Sequence, residues 1–336
     1  MSVKPKQTDD LQNRSWLGIV IRKSTAIYTV QTDGRQQLCE LSPRLRGSMA
    51  AAISRYTQRA AEHLDPLVVG DQVRFIQSGG GTGLIVELFP RRNQFSRRSA
   101  VPMPTARPHE QVIAANVDQV VPVFAAADPA PKWNMLDRYL VAAEGAGLPA
   151  TVVITKIDLA QNGNGKLDAG LVEAADEYRR IGYPVLLVSA QRSQGLDPVR
   201  QALEGRISVL LGKSGVGKTS LLNALQPGLG LRVNAVNQVT GKGKHTTTNM
   251  ELFPLEFGSG GGIIDTPGVR EFGLWLEDSL AVDWCFPEMR PFLGQCRFGL
   301  DCGHDQEPGC AVRAAVSNGQ VHERRWRSYL QLRGEV

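Results

Sequence analysis

Residues 212–219, Gly212-Lys213-Ser214-Gly215-Val216-Gly217-Lys218-Thr219, have the types and spacing of a phosphate-binding loop. Its glycines free consecutive backbone N–H groups to point inward at phosphate oxygens. A helix starting beside them adds the partial positive charge of its N-terminus. Lys218 is expected to reach the β- and γ-phosphates, and the Thr219 hydroxyl to ligate Mg2+. Ser220 completes the run expected to line the nucleotide. Such a loop serves ATP and GTP enzymes alike, so the base must be read elsewhere.

Thr155-Lys156-Ile157-Asp158 supplies that reading. The Asp158 carboxylate can accept from both N1–H and the exocyclic amine of guanine, a bidentate contact that adenine cannot offer. This argues against a metabolic P-loop kinase or ATPase. The aliphatic stem of Lys156 can lie along the base plane, and Ser189-Ala190 can set a backbone N–H against guanine O6. In Asp265-Thr266-Pro267-Gly268, Asp265 is expected to hold Mg2+ through water and the Gly268 N–H to sense the γ-phosphate. Between this motif and the phosphate loop lies Gly243-Lys244-His245-Thr246-Thr247-Thr248, with Thr247 as the expected second magnesium hydroxyl. Val269 follows Gly268, where Ras-like enzymes carry a glutamine that orients the attacking water. Valine cannot do that, so hydrolysis by the isolated chain is expected to be slow. His245 is either the residue that positions water when a partner orders its loop, or a solvated loop histidine.

A second chemistry sits near the C-terminus. Cys296-x5-Cys302-x-His304-x5-Cys310 offers three thiols and an imidazole within fifteen residues. Three cysteines and one histidine fill a tetrahedral Zn2+ shell with no open position, which makes a structural rather than a catalytic site. Such an ion suits a small helical segment with little core of its own. Cys39 and Cys285 stand apart from the cluster. Arg313, Arg324, Arg325 and Arg327 then interleave with Trp326 and Tyr329. That pattern fits a helix for RNA phosphates and stacking, or a solvated helix with a buried aromatic face.

The elements that must position these groups are legible from periodicity. Apolar runs at 120–124, 151–154, 185–188, 207–211 and 263–264 look like buried parallel strands, and each motif follows one of them. Helical spacing appears between them, as in Trp133, Leu136, Leu140 and Val141, and in Leu221, Leu222 and Leu225. Strand and helix alternate, which predicts a parallel sheet covered on both faces, with ligands at the C-terminal strand edge. Ahead of this region, residues 16–89 carry short period-two patterns: Ile19 and Ile21, Ile27 and Thr29, Val73 and Phe75. Turn residues such as Asp33-Gly34 and Gly70-Asp71 punctuate them. A small barrel of about five strands, OB-like, fits that length, with an Ala- and Arg-rich helical insertion over 47–63. Arg91, Arg92, Arg97 and Arg98 follow, either as a solvated linker or as a phosphate-contacting patch.

The 336 residues are 42% hydrophobic and 21% charged, the texture of an ordinary globular chain rather than a disordered one. No run approaches the roughly 18 apolar residues of a membrane helix. The polar start of the chain lacks the apolar stretch of a signal peptide, so cytoplasm is the expected compartment, with no membrane partner. A formal charge of +5 tolerates a polyanionic partner without demanding one.

The order of the nucleotide motifs is the most informative feature. Ordinary GTPases place the phosphate loop first and the base-reading pair last. Here 155–158 and 189–190 precede 212–219, and Asp265-Thr266-Pro267-Gly268 comes last. A cyclic rotation of the chain restores the usual order. With this order, the run His245-Thr246-Thr247-Thr248, the stretch 265–274 and the terminal Cys/His cluster, the chain resembles the circularly permuted GTPases of the ribosome small subunit-dependent GTPase A (RsgA/YjeQ) family over roughly residues 15–330. It departs from the family in two places. Thr155 stands where the family usually has Asn, and five residues rather than four separate Cys296 from Cys302. The resemblance implies a multidomain α/β protein. Residues 1–14 would form a tail, 15–98 an RNA-binding OB-fold, 99–274 the permuted GTPase domain and 275–336 a helical zinc module. It further implies a monomer that binds GTP and GDP, the small ribosomal subunit and its rRNA. In late subunit maturation it would hydrolyse GTP with Mg2+, stimulated by the subunit, and would carry one structural Zn2+. A GTP-dependent RNA-binding scaffold with incidental hydrolysis is the alternative.

Overall fold

The computed structural model describes residues 15–24, 26–54, 67–78, 81–99, 110–229, 231, 250–266, 272–276 and 281–335. The first unit contains β1 (Ser15–Ser24), β2 (Ile27–Thr32), β3 (Arg35–Leu41), α1 (Pro43–Ser54), β4 (Gln72–Gln77) and β5 (Gly83–Leu88). β1 pairs antiparallel with both β2 and β4, β2 with β3, and β4 with β5, while β3 runs parallel to β5. The five strands therefore close on themselves, leaving no free edge. Asp33 and Gly34, both at positive φ (41° and 74°), make the two-residue turn that pairs Thr32 with Arg35. Helix α1 begins four residues before the expected insertion. Ser42 caps it, its Oγ accepting from the Leu45 N–H at 3.2 Å, and Pro43 opens its first turn.

Inside the barrel, Val73 and Phe75 point inward as their alternation predicts. In β2 the alternation does not name the inner face, and Thr29 is buried as well. Ile27 is 42% exposed, whereas Tyr28 and Val30 are 2% and 0% exposed. Both faces of that strand carry apolar residues, so period two marks the alternation without saying which side is in. β1 buries both of its faces. Val20 fills the barrel, and Ile21 packs with the core of the second unit.

A hairpin of β6 (Gln94–Arg98) and β7 (Glu110–Ala115) leads into the α/β unit. There β8 (Gln119–Ala125), α2 (Trp133–Gly145), β9 (Val152–Thr155), α3 (Ala169–Ile181), β10 (Val185–Leu187), α4 (Leu196–Leu203), β11 (Arg206–Leu211), α5 (Lys218–Leu225), β12 (Glu251–Pro254) and β13 (Gly261–Asp265) follow in sequence. The strand order is β10-β9-β8-β11-β13-β12, parallel throughout except that β12 runs antiparallel to β13. Alternate residues of β8 serve opposite faces: Val120 and Phe124 pack with α2 and α3, and Val121, Val123 and Ala125 with α4 and α5. β12 also pairs with β1 through Arg22 and Glu251, so one continuous sheet joins barrel and α/β unit. At four residues, β12 is too short to be heard as a periodic signal.

The C-terminal region has three short 3-10 turns (Val282–Cys285, Arg290–Phe292 and Gly299–Asp301), then α6 (Ala311–Ser317) and α7 (Glu323–Arg333). Its apolar residues do not form a separate core. Phe286, Met289, Val312, Tyr329 and Leu332 belong to the same buried cluster as α2. Among the described residues, no helix is long and apolar enough to cross a membrane.

Candidate functional site

The parallel strands deliver the predicted motifs to one edge. Gly212 leaves β11, and α5 begins at Lys218, capped by Gly217 at φ +93°. A side chain at Gly217 would be strained by that φ and would bring a Cβ to 3.3 Å from Thr155 Oγ1, so the Thr155–Asp158 loop packs directly on the 212–219 loop. Lys218 is buried, its Nζ donating to Gly212 O at 2.6 Å, curled back across the loop that a phosphate would fill. Asp265 ends β13 with its Oδ1 buried and without a hydrogen-bond partner. Burial pushes its carboxyl above the usual range, against the pull of Lys218, and pushes the Lys218 ammonium below its own. A buried carboxylate oxygen without a partner, close enough to a buried lysine to feel its charge, fits a hydrated divalent cation and a phosphate. Thr266 is anchored by its Oγ1 donating to Leu210 O at 2.7 Å.

On the base side, Thr155 is 2% exposed. Its Oγ1 lies 3.1 Å from Phe124 O and also against Val216 O, inside the phosphate loop. One hydroxyl carries one proton, so it serves one of these carbonyls at a time. Lys156 sits at φ +55°, and its Nζ reaches Asp128 O. Ile157 is buried, and its N–H donates to Val188 O at 3.4 Å, tying this loop to the next. Asp158 is half-buried in the 3-10 turn Ile157–Ala160. Ser189 is buried, its Oγ accepting from Arg192 N–H at 3.1 Å, while Ala190 lies half-exposed at the loop tip. Thr219, Ser220, Lys213, Ser214 and Gly215 line the same end of the sheet. His245, Thr247, Gly268 and Val269 lie outside the described residues.

The structure also brings the four Cys/His residues together. Cys296, Cys302, His304 and Cys310 are all buried, with their ligand atoms within 4.8 Å of one another. His304 Nδ1 lies 3.5 Å from Cys296 Sγ and 3.4 Å from Cys310 Sγ, and the two sulfurs are 3.9 Å apart. A tetrahedral Zn2+ with bonds of about 2.0–2.3 Å has ligand–ligand edges of roughly 3.4–3.8 Å, so the donor set and the spacing of Cys296, His304 and Cys310 fit such an ion, with Cys302 close by. Backbone N–H groups of Ala311 and Arg313 point at Cys296 and Cys310 sulfurs, at 3.3 and 3.4 Å, as thiolates require. The five residues between Cys296 and Cys302 end in the 3-10 turn Gly299–Asp301. Sequence reading missed Asp283, whose Oδ2 stands 3.3 Å from His304 Nε2. A lone aspartate twenty-one residues upstream carries no local signal.

The arginines read as possible phosphate contacts are largely engaged within the chain. Arg325 is fully buried and forks between Asp137 Oδ1 at 2.7 Å and Glu288 Oε1 at 2.6 Å. Arg324 donates to Glu177 and Tyr178, both at 2.8 Å, and Trp326 Nε1 donates to His304 O at 2.7 Å. Arg313 and Arg327 face solvent. Arg91 grips the buried Asp71 at 2.7 and 2.9 Å, Arg92 pairs with Asp118 and Arg98 donates to Glu335 O, each at 2.7 Å. α7 thus packs on α2 and α3 with Tyr329 buried and Glu323 and Arg327 exposed, as the reading of a solvated helix with a buried aromatic face has it; the burial of Arg325 with that face is what neither reading included.

Comparison with known proteins agrees with this geometry. The profile of the RsgA GTPase matches residues 88–275. A small ribosomal subunit biogenesis GTPase RsgA of Gemmatimonas aurantiaca is 43% identical over 324 residues, covering 96% of this chain and 98% of that protein. One from Pseudomonas aeruginosa is 44% identical over 277 residues, covering 82% and 77%. Among solved structures, YjeQ from Thermotoga maritima superposes with a TM-score of 0.67 at 29% identity, covering 96% of this chain and 98% of its own. YloQ, described as a circularly permuted GTPase, gives 0.64 at 26%, covering 99% and 97%. With the 212–219 loop after β11, the motifs 155–158 and 189–190 after β9 and β10, a barrel before them and a Cys3His cluster after them, a chain that matches this profile and is 43% identical to such a relative over nearly its whole length belongs to the RsgA GTPase family.

Proposed function

We propose that this protein hydrolyses GTP while bound to the small ribosomal subunit, in the biogenesis of that subunit, and that contact with it accelerates turnover. The observation that carries this reading is the convergence of the Thr155–Asp158 loop, the 212–219 loop and Asp265 at one strand edge, in a chain whose relatives are named for that role. Asp158 reads guanine by its carboxylate, and Thr155, Lys156, Ile157, Ser189 and Ala190 shape the base pocket. Backbone N–H groups of 212–220 cradle the phosphates, with Lys218 swinging from Gly212 O onto them. Mg2+, when bound, neutralises charge developing between the β- and γ-phosphates, and Thr219, Thr247 and Asp265 are the residues that would hold it. Gly268 senses the γ-phosphate, and His245 orients the attacking water in place of the glutamine that Val269 replaces. Cys296, Cys302, His304 and Cys310 hold one Zn2+. The working division is a barrel (15–98) and a zinc module (275–336) that grip rRNA on either side of the GTPase (99–274), in a cytoplasmic monomer.

The test is GTP and ATP turnover by the pure protein, with and without small subunits. Slow hydrolysis confined to GTP, rising many-fold with the subunit, is the expected result. Turnover indifferent to the subunit would leave a GTPase without this partner. GTP-dependent rRNA binding with no acceleration would make it a scaffold. His245→Ala should bind GTP normally yet lose the stimulated rate; full stimulation would remove His245 from the mechanism.

A further inference from the structure

The metal-binding histidine is held from three sides, and one of them belongs to a different part of the chain. His304 is buried, with Nδ1 turned toward Cys296 and Cys310 and Nε2 turned away toward Asp283 Oδ2 at 3.3 Å. Its carbonyl accepts from Trp326 Nε1, and its ring lies against Tyr329, centroids 6.0 Å apart. Asp283 is itself fixed: its Oδ1 accepts from the Trp284 N–H at 2.7 Å. The turn that carries it, Val282–Cys285, buries Val282 and Cys285 in the cluster built around α2, and Phe286 follows into the same core. The carboxylate facing the imidazole therefore stands on the segment docked to the nucleotide-binding unit, not on the Cys/His loop.

We infer that Asp283 is a positioning residue of the metal centre: it accepts the Nε2–H of His304, so the imidazole coordinates through Nδ1, and it links the metal to the segment docked on α2. An imidazole has two nitrogens, and the hydrogen bond made by one decides which is left to bind metal. A carboxylate on the outer nitrogen also raises the basicity of the inner one and removes the freedom of the ring to turn out of the shell. This rests on the Cys3His group binding Zn2+, which is checked separately below.

The experiment uses the full chain purified with zinc. Zinc content is measured first, and then the rate of Zn2+ transfer to a chromogenic chelator for the wild type, Asp283→Ala and Asp283→Asn. Loss of such an outer partner typically costs about 10–100-fold in metal affinity. Release from Asp283→Ala is expected to be faster by that order. Asp283→Asn keeps an acceptor oxygen and should fall between the two, while guanine-nucleotide affinity stays unchanged in both. Should Asp283→Ala fail to fold, long-range 1H–15N spectra of wild-type His304 decide the matter, with a protonated Nε2 and a metal-bound Nδ1 expected. Zinc-loaded wild type with release within twofold in both variants, or with Nε2 on the metal, overturns the role of Asp283 alone. A wild type without zinc overturns the metal assignment and this one with it.

Discussion

Thr155 replaces the asparagine usual in its family by doing a smaller task. Its buried hydroxyl lies between Phe124 O and Val216 O and can bond either, so it ties β8 to the 212–219 loop instead of reaching outward. Thr155→Val keeps the shape, removes the donor and leaves a buried carbonyl without its partner, a loss of about 1–3 kcal/mol. GTP and GDP affinity, read by fluorescent-nucleotide titration, should fall roughly tenfold for about 1.4 kcal/mol of that, with Thr155→Ser near wild type. Equal affinity for Val and Ser would deny the tie. Asp265 and Lys218 make a second prediction. A carboxyl raised by folding favours the fold at low pH, and the preference fades as pH rises through its folded pKa. A lysine lowered by folding favours the fold only at high pH, and the preference is lost as pH falls through its folded pKa. Between the two titrations neither preference operates, and the nucleotide-free protein keeps both buried charges. The gain in melting temperature from Mg2+ and GDP should therefore be largest there and shrink as acid protonates Asp265. A gain that is flat from about pH 5 to 8 would show that Asp265 does not carry it.

Helix α7 shows how a charged sequence can make a buried element. Glu323-Arg324-Arg325-Trp326-Arg327 has no apolar stripe wide enough to announce a core helix. It is held instead by directional pairs, above all Arg325 between Asp137 and Glu288, with Ser328 and Tyr178 also bonding Asp137. Removing one partner of such a network leaves buried charge uncompensated, at a cost of about 3–5 kcal/mol. Arg325→Ala should lose that much by denaturant unfolding, and limited proteolysis should cut first between 281 and 335. Arg325→Lys should not fully restore it, because a compact ammonium lacks the planar array of Nε, Nη1 and Nη2 that reaches both carboxylates at once. Stability within 1 kcal/mol of wild type would mean the pair is replaceable by solvent.

Across the molecule, the barrel, the α/β unit and the C-terminal region share structure rather than meeting at linkers. β1 to β12 continues one sheet from barrel to nucleotide unit, and Asn116 Nδ2 donates to Gly70 O at 2.9 Å across the same join. The cysteines of the metal cluster lie in the cluster that also holds α2. Removal of a metal held by this group should therefore be felt beyond the Cys/His loop. Chelation under native conditions is expected to raise hydrogen exchange in α6 and α7 first and then along α2, lowering the melting temperature, while exchange in the barrel strands stays unchanged. Protection in α2 that ignores the chelator would show that the two regions are thermodynamically separate.

What was legible in the residues was local chemistry and its order. The 212–219 loop, the Thr155–Asp158 motif, the parallel strands feeding them and the Cys3His donor set are all short-range patterns, and the permutation is their order, because phosphate cradles, strand periods and ligand spacings are set within a few residues. Asp33-Gly34 marked its hairpin for the same reason. Tertiary structure alone decided the rest. It turned Tyr28 and Val30 inward instead of Ile27, set Thr155 on Val216, turned Arg324 and Arg325 inward and brought Asp283 to His304. Each depends on partners far apart in the chain. A side chain that can serve two faces or two partners is assigned only when packing removes the alternative, because a buried polar group is tolerated only where its partner arrives with it.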